Sequence, residues 1–374
     1  MSSVDQAANP PGYEITPAAL EPPILFVDHQ TTGRSGHLGH AMFQRADGKL
    51  FAFYPNCSSD DPGRHGTSGH SAVGWMEYKI SEDAGLTWGA PQVFDYSRCA
   101  IEKALGYAIF TEKAVVTDKG SVVLFHLLSD ISEDALWEPY LVPTSTRSAD
   151  GGNTWSEAVE IGAKRGRIYS ATFADGVIYA LKFDNDAEAD FCGTTNEHRY
   201  VLYASYDDGL TFGPISVLPF DTQGRGYGTM CRRNDGSLIV YIYNKHAEDQ
   251  LDYVISEDGG KSWSAPALAN MARRIRNPQM VAFGGGFFMH GRSGSYGPPQ
   301  TQGHFVLYHS RDGIEWDQGR YLAMRQHGQG AYSNSLVVRP VTDDGVERLR
   351  IQASHAYSAD STNVVAWWIN KVAS

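Results

Sequence analysis

Cysteine, long apolar runs and basic charge are what this 374-residue chain has least of. Its four cysteines, Cys57, Cys99, Cys192 and Cys231, are scattered without the paired spacing of a zinc site or a disulfide framework. Free thiols are expected, and no metal or other cofactor is called for. No run of eighteen apolar residues exists, which excludes a helical membrane span. The stretch from Met1 to Glu21 is polar and proline-bearing, with no basic region leading into an apolar one. No secretory leader is recognised there, and a cytoplasmic location is expected. Lys and Arg total 31 against 43 Asp and Glu, a net charge of -12. That balance argues against nucleic acid as a partner, because phosphate binding needs clustered cations. A small anionic ligand stays open, since a local basic pocket overrules the global charge. A monomer or weak homo-oligomer is expected.

What the chain has in quantity is aromatic residues (12%), 39 glycines and 20 tyrosines, the composition of strands and turns. One eight-residue phrase recurs: Ser81 to Trp88, Ser148 to Trp155, Ser205 to Phe212 and Ser256 to Trp263. A fifth copy, Ser310 to Trp316, is one residue shorter. The aspartates Asp83, Asp150, Asp207, Asp258 and Asp312 lie 67, 57, 51 and 54 residues apart. A period near fifty predicts one small antiparallel sheet per repeat, arranged around an axis. Within each copy, aspartate caps backbone amides across a tight turn and glycine supplies a positive φ. The closing aromatic buries a large apolar face between neighbouring sheets.

This phrase resembles the Asp-box of the sialidase superfamily. The resemblance implies a β-propeller with the boxes on the rim away from the active site, which removes the five box aspartates from catalysis. Each box ends the third strand of a blade. Reading back from the boxes, first strands open near Ala41, Tyr107, Tyr169, Tyr227 and Asn277. A sixth unit, Tyr332 to Val372, has three strand-like runs and no box. Its outer strand is expected from Ile24-Leu-Phe-Val-Asp28, which joins the chain ends and removes a sheet edge. The expectation is therefore an all-β, six-bladed propeller over residues 22–374, preceded by an extension over 1–21. Seven blades would require one hidden in the long insertions.

In a propeller the starts of the first strands form the mouth of the central pocket. Here they supply His37, Tyr107, Arg167, Tyr169, Arg225, Tyr227, Arg276, Asn277 and Tyr332, polar where a structural core favours Val or Ile. Gly330-Ala-Tyr332-Ser333 resembles the sialidase segment bearing the tyrosine nucleophile. The rest of the sialidase pattern departs: His37 to His40 stands where an arginine is expected, Tyr227 where a glutamate is, and Tyr243 where a second arginine is. Arg292 alone matches the arginine triad. Propeller polysaccharide lyases of the ulvan-lyase type offer a second resemblance. It places His37 and Tyr107 in proton transfer, with His126 near the position of an arginine and Cys57 where a histidine is expected. His65 or His70 could substitute for that histidine.

β-Elimination beside a uronate needs a base, an acid and a neutralised carboxylate, and His, Tyr and Arg suit those roles. The leading expectation is thus cleavage of an acidic oligosaccharide, with His37 and Tyr107 moving protons, His126 assisting, and Arg167, Arg225 or Arg292 on the acid. The rival is a retaining hydrolase, with Tyr332 as nucleophile and Asp60 or Asp61 as acid. A non-catalytic glycan-binding module is the third reading. His37 and His40 lie three apart, and strand alternation would point them to opposite faces, so no metal pair is expected.

Overall fold

Six antiparallel sheets surround one axis in the computed structural model. It describes residues 8–58, 73–132, 139–185, 198–294, 303–324, 332–340, 345–355 and 362–372. Blades 2 to 5 have four strands each in simple up-and-down order, beginning with Tyr107–Val116, Gly166–Ala174, Arg225–Arg232 and Arg276–Phe283. In blade 1 the innermost strand is split, Arg34–Ser35 and Met42–Gln44 both pairing with Leu50–Ser58.

Blade 6 holds Ser333–Val338, Arg348–His355 and Asn363–Lys371, and the N-terminus completes it. Ile24–Val27 pairs with the last strand, as the apolar run predicted. Tyr13–Thr16 pairs with it too, so the propeller takes in residues from the stretch expected to be an extension. One helix, Asp95–Glu102, follows blade 1 and has no counterpart in the sequence reading.

The strands form because their residues suit burial on both faces. Leu238–Asn244 reads Leu-Ile-Val-Tyr-Ile-Tyr-Asn and is buried throughout. All five third strands end at the box serine: Ser81, Ser148, Ser205, Ser256 and Ser310. There the serine hydroxyl bonds the aspartate and accepts the glycine amide, as Ser256 does with Asp258 at 2.8 Å and Gly260 at 2.7 Å. Gly260 has φ 85, and a Cβ there would stand 2.1 Å from Leu202 Cδ2. Only glycine fits that approach.

Each box aromatic packs on the preceding blade. Trp155 meets Phe43 and Phe94 of the blade 1 segment, Phe212 meets Phe125, Trp263 donates to Ser216 Oγ, and Trp316 donates to Tyr241 Oη. Trp88 closes the ring against Phe26 at 4.9 Å between centroids. Since the third strand runs parallel to the first, the boxes lie at the end of the propeller opposite the first-strand starts. The interblade contacts are aromatic and buried, Phe305 stacking on Trp367 at 5.0 Å and 7°. Each such side chain removes enough apolar area to contribute about 1.5–3 kcal/mol.

Candidate active site

The innermost strands of blades 1 to 5 are each interrupted once. Register slips between Thr111 and Lys113 in blade 2, Ile168 and Ser170 in blade 3, Gly226 and Gly228 in blade 4, and Arg276 and Gln279 in blade 5. A bulge leaves a residue out of the ladder and re-aims its side chain. The residues released here include Glu112, Tyr169, Tyr227 and Asn277. Blade 1 places Gly39, φ 84, in the gap of its split strand, and blade 6 supplies Tyr332 just before Ser333–Val338. All six, one from every blade, line a single axial cavity together with His40, Lys113, Arg167, Gln279 and Ser333. Tyr227 and Asn277 hold φ 49 and 55, the left-handed region, which asparagine tolerates and which is strained for tyrosine.

The cavity encloses about 20 Å³, room for a water molecule but not for a sugar ring. A saccharide would lie across the mouth and dip one edge into it. Arg167 dominates the wall. Its Nε donates to Glu112 Oε2 at 2.5 Å, its Nη2 to Glu112 Oε1, and its Nη1 to the Tyr140 hydroxyl at 3.3 Å. Burial works against its charge, but Glu112 and the surrounding tyrosines outweigh burial and hold the guanidinium protonated. Its Cζ lies 4.4 Å from the Tyr332 ring centre and 5.1 Å from that of Tyr169.

Tyr332 is 7% exposed. Burial is the largest cause of its raised pKa, with Tyr227 adding to the rise and Arg167 and Arg292 opposing it. The His37 ring meets it edge-on, at 5.0 Å and 75°. Tyr227 in turn accepts a hydrogen bond from Arg276 Nη2 at 3.0 Å. Arg292 Nε donates to Asn277 Oδ1 at 3.0 Å. Lys113 donates to Gln279 Oε1 and to Asn334 Oδ1. Burial lowers its pKa to about 7, with Arg167 pushing the same way and Glu112 opposing. His40 and His290 are lowered to about 3, chiefly by burial, and are neutral at neutral pH.

The structure thus gathers His37, Tyr332, Arg167, Tyr169, Tyr227, Arg276, Asn277 and Arg292 around one space. It places three other expected site residues elsewhere. Tyr107 opens its strand opposite Asp130 and packs beside Ala100, Ile109 and Leu128, five residues from the bulge that reaches the cavity. His126 is buried between Thr111 Oγ1 at 3.1 Å and Thr146 Oγ1 at 2.9 Å, stacked on Phe94. Burial lowers its pKa to about 3, and it serves as a satisfied core histidine. Arg225 pairs with Asp252 in a separate outer pocket. Asp60, Asp61, His65 and His70 lie outside the described residues. Arg167 also differs from its expected role: its donors go to Glu112 and Tyr140, so it is a wall rather than a clamp for substrate.

Glu112 and Lys113 were missed by the sequence reading. Their signal was two adjacent charges inside the apolar strand Tyr107–Val116, where alternation allows only one to face outward. A bulge resolves that conflict by sending both inward.

The profile of the BNR repeat-like domain matches residues 66–340. The chain belongs to this family. No curated protein matches it. Among solved structures, it is similar to a protein of unknown function from Dyadobacter fermentans, with 13% identity, TM-score 0.69, and coverage of 96% of this chain and 100% of that one. The intramolecular trans-sialidase of Ruminococcus gnavus, in complex with oseltamivir carboxylate, shares 12% identity and a TM-score of 0.63 over 94% of this chain and 99% of that one. The α-L-arabinanase of Penicillium chrysogenum, complexed with arabinobiose, shares 15% identity and a TM-score of 0.58 over 88% and 92%. At these identities the likeness shows the fold: a sialidase-like six-bladed propeller of BNR repeats.

Proposed function

We propose that this propeller cleaves a glycosidic bond in an acidic saccharide, with Tyr332 as the reacting group. The supporting observation is the charge around Tyr332. Among the described residues at the cavity, the basic side chains Lys113, Arg167, Arg276 and Arg292 stand against one carboxylate, Glu112. In a chain of net charge -12 that local excess suits a ligand carboxylate. The solved relatives bound to arabinobiose and to oseltamivir carboxylate are propellers that receive a saccharide or a carboxylate, and the reading extends this to the present chain.

Elimination is the mechanism we favour. Arg292 and Arg276 neutralise the uronate carboxylate and acidify C5. His37 removes the C5 proton, the C–H electrons form the C4–C5 double bond, and the C4–O bond breaks onto the leaving oxygen. Tyr332 gives that oxygen its proton, and the proton on His37 returns to Tyr332 through solvent. A phenol whose pKa burial has raised keeps its proton until alkoxide character develops, as an acid for this step should. Hydrolysis is the second reading, favoured by the cation over the Tyr332 ring, which stabilises a phenolate nucleophile. In it, glycosyl transfer to Tyr332 precedes attack by water.

The test is incubation with a panel of uronate-containing oligosaccharides and sialosides. The ultraviolet absorbance of an unsaturated uronate, lost in Tyr332→Phe, supports elimination. Sugar release without that absorbance moves the assignment to hydrolysis. Binding without turnover on any member of the panel sinks the enzymatic reading and leaves a glycan-binding module.

A further inference from the structure

We propose that Glu112 and Arg167 form a positioning pair for Tyr332, in which Glu112 holds the guanidinium over the phenol ring where negative charge develops. The geometry is specific. Two nitrogens of Arg167 are held by the two oxygens of Glu112 and the third faces Tyr140, so the side chain has no freedom to turn toward solvent or substrate. Both partners are more than nine-tenths buried. Glu112 is itself re-aimed by the bulge of blade 2, and Asn334 of blade 6 donates to its backbone oxygen at 3.1 Å. Residues of blades 2, 3 and 6 thus meet in one hydrogen-bonded cluster beside the ring.

Other charged or titratable groups face Tyr332 from the remaining elements. Blade 1 brings His37 and His40, and blade 2 brings Lys113 beside Glu112. Tyr169 comes from blade 3, Tyr227 from blade 4 with Arg276 behind it, and Arg292 from blade 5. Arg167 is the cation centred over the Tyr332 ring, its Cζ 4.4 Å from the ring centre. A buried ion pair of this kind is rarely a source of net stability, because desolvation offsets the attraction. Its position against the reacting phenol supplies a reason for it.

The role rests on Tyr332 being the reacting group, and its test needs no substrate. 3-Nitrotyrosine is installed at position 332 and the visible absorbance of its phenolate is titrated. Arg167→Gln is expected to raise the titration midpoint by about one pH unit, and Glu112→Gln to lower it by a similar amount. Either single change leaves a buried charge and can prevent folding. The double variant Glu112→Gln/Arg167→Met removes the pair as a unit, and it too is expected to raise the midpoint, because the guanidinium and not the carboxylate faces the ring. Midpoints that stay within a few tenths of a unit, or single variants that shift the same way, overturn the proposal. Shifts as expected in a protein silent on every saccharide would retain the pair and reject the assignment of Tyr332 to catalysis.

Discussion

Tyr227 and Arg276 meet twice: Arg276 Nη2 donates to the Tyr227 hydroxyl at 3.0 Å, and the guanidinium lies 5.3 Å from the ring centre. Tyr227 also hydrogen-bonds Tyr332, from a backbone held at φ 49. Strain of this kind persists where surrounding structure enforces it. Here Tyr200 helps by donating to the Tyr227 backbone oxygen at 2.5 Å.

Tyr227→Phe keeps the ring and the bulge while removing one hydroxyl. It is expected to lower kcat/KM by about 10- to 100-fold, the range for one charge-assisted hydrogen bond lost at a reacting group. The denaturant midpoint should move little. Unchanged kinetics would detach Tyr227 from the chemistry.

His126 should behave in the opposite way. Its two ring nitrogens are tied to Thr111 and Thr146 inside the core, and His126→Ala leaves both hydroxyls unpaired beside a new void. The expected loss is about 2–4 kcal/mol of stability with turnover per folded molecule intact. Urea unfolding and active-site titration separate the two. A collapse of turnover in well-folded protein would restore His126 to the site.

The contrast between these residues shows what the sequence could disclose. Box spacing revealed the blades because each box must satisfy the same turn and fill the same interblade space, a constraint repeated five times. Tyr169, Tyr227, Asn277 and Tyr332 were legible because each starts a first strand close to its cavity position. Glu112 was not. Its strand begins five residues earlier than its reach to the axis, and the bulge that turns it inward depends on pairing with Val122–Asp130. The resemblance to propeller lyases points instead to Tyr107, at the strand start, five residues short of the bulge. The saturation of Arg167 was equally hidden, since its partner sits in the neighbouring blade 55 positions away.

The boxes carry their own pH signature. The hydroxyl of Thr87 holds the Asp83 carboxylate down to about 2 from an ordinary 3.8, and that of Ser262 does the same for Asp258. A carboxylate depressed in the native state stabilises fully above its unfolded value and loses that contribution as pH falls toward the native one. Asp258→Asn should therefore be less stable than the parent at pH 7, and the gap should close between about pH 4 and pH 2. Unfolding midpoints measured across that window would reject the box hydrogen bonds as the cause if the gap stayed constant.

Lys113 predicts a dependence at the other end of the scale. Burial brings its native pKa to about 7 from an ordinary 10.5, so between those values the unfolded chain binds a proton that the native chain has released. Stability rises with pH wherever the unfolded state holds more protons. Below about pH 7 the amine is charged in both states, and the cost of burying it is present in full. Lys113→Met fills similar volume without a charge. It should be more stable than the parent at pH 6, and its advantage should shrink steadily toward pH 10 as the parent's amine becomes neutral. Gln279 and Asn334 lose a donor in the variant at every pH, which shifts the whole curve without altering its slope. The slope is therefore the diagnostic quantity: parallel stability curves for parent and variant would mean that Lys113 keeps its proton in the cavity.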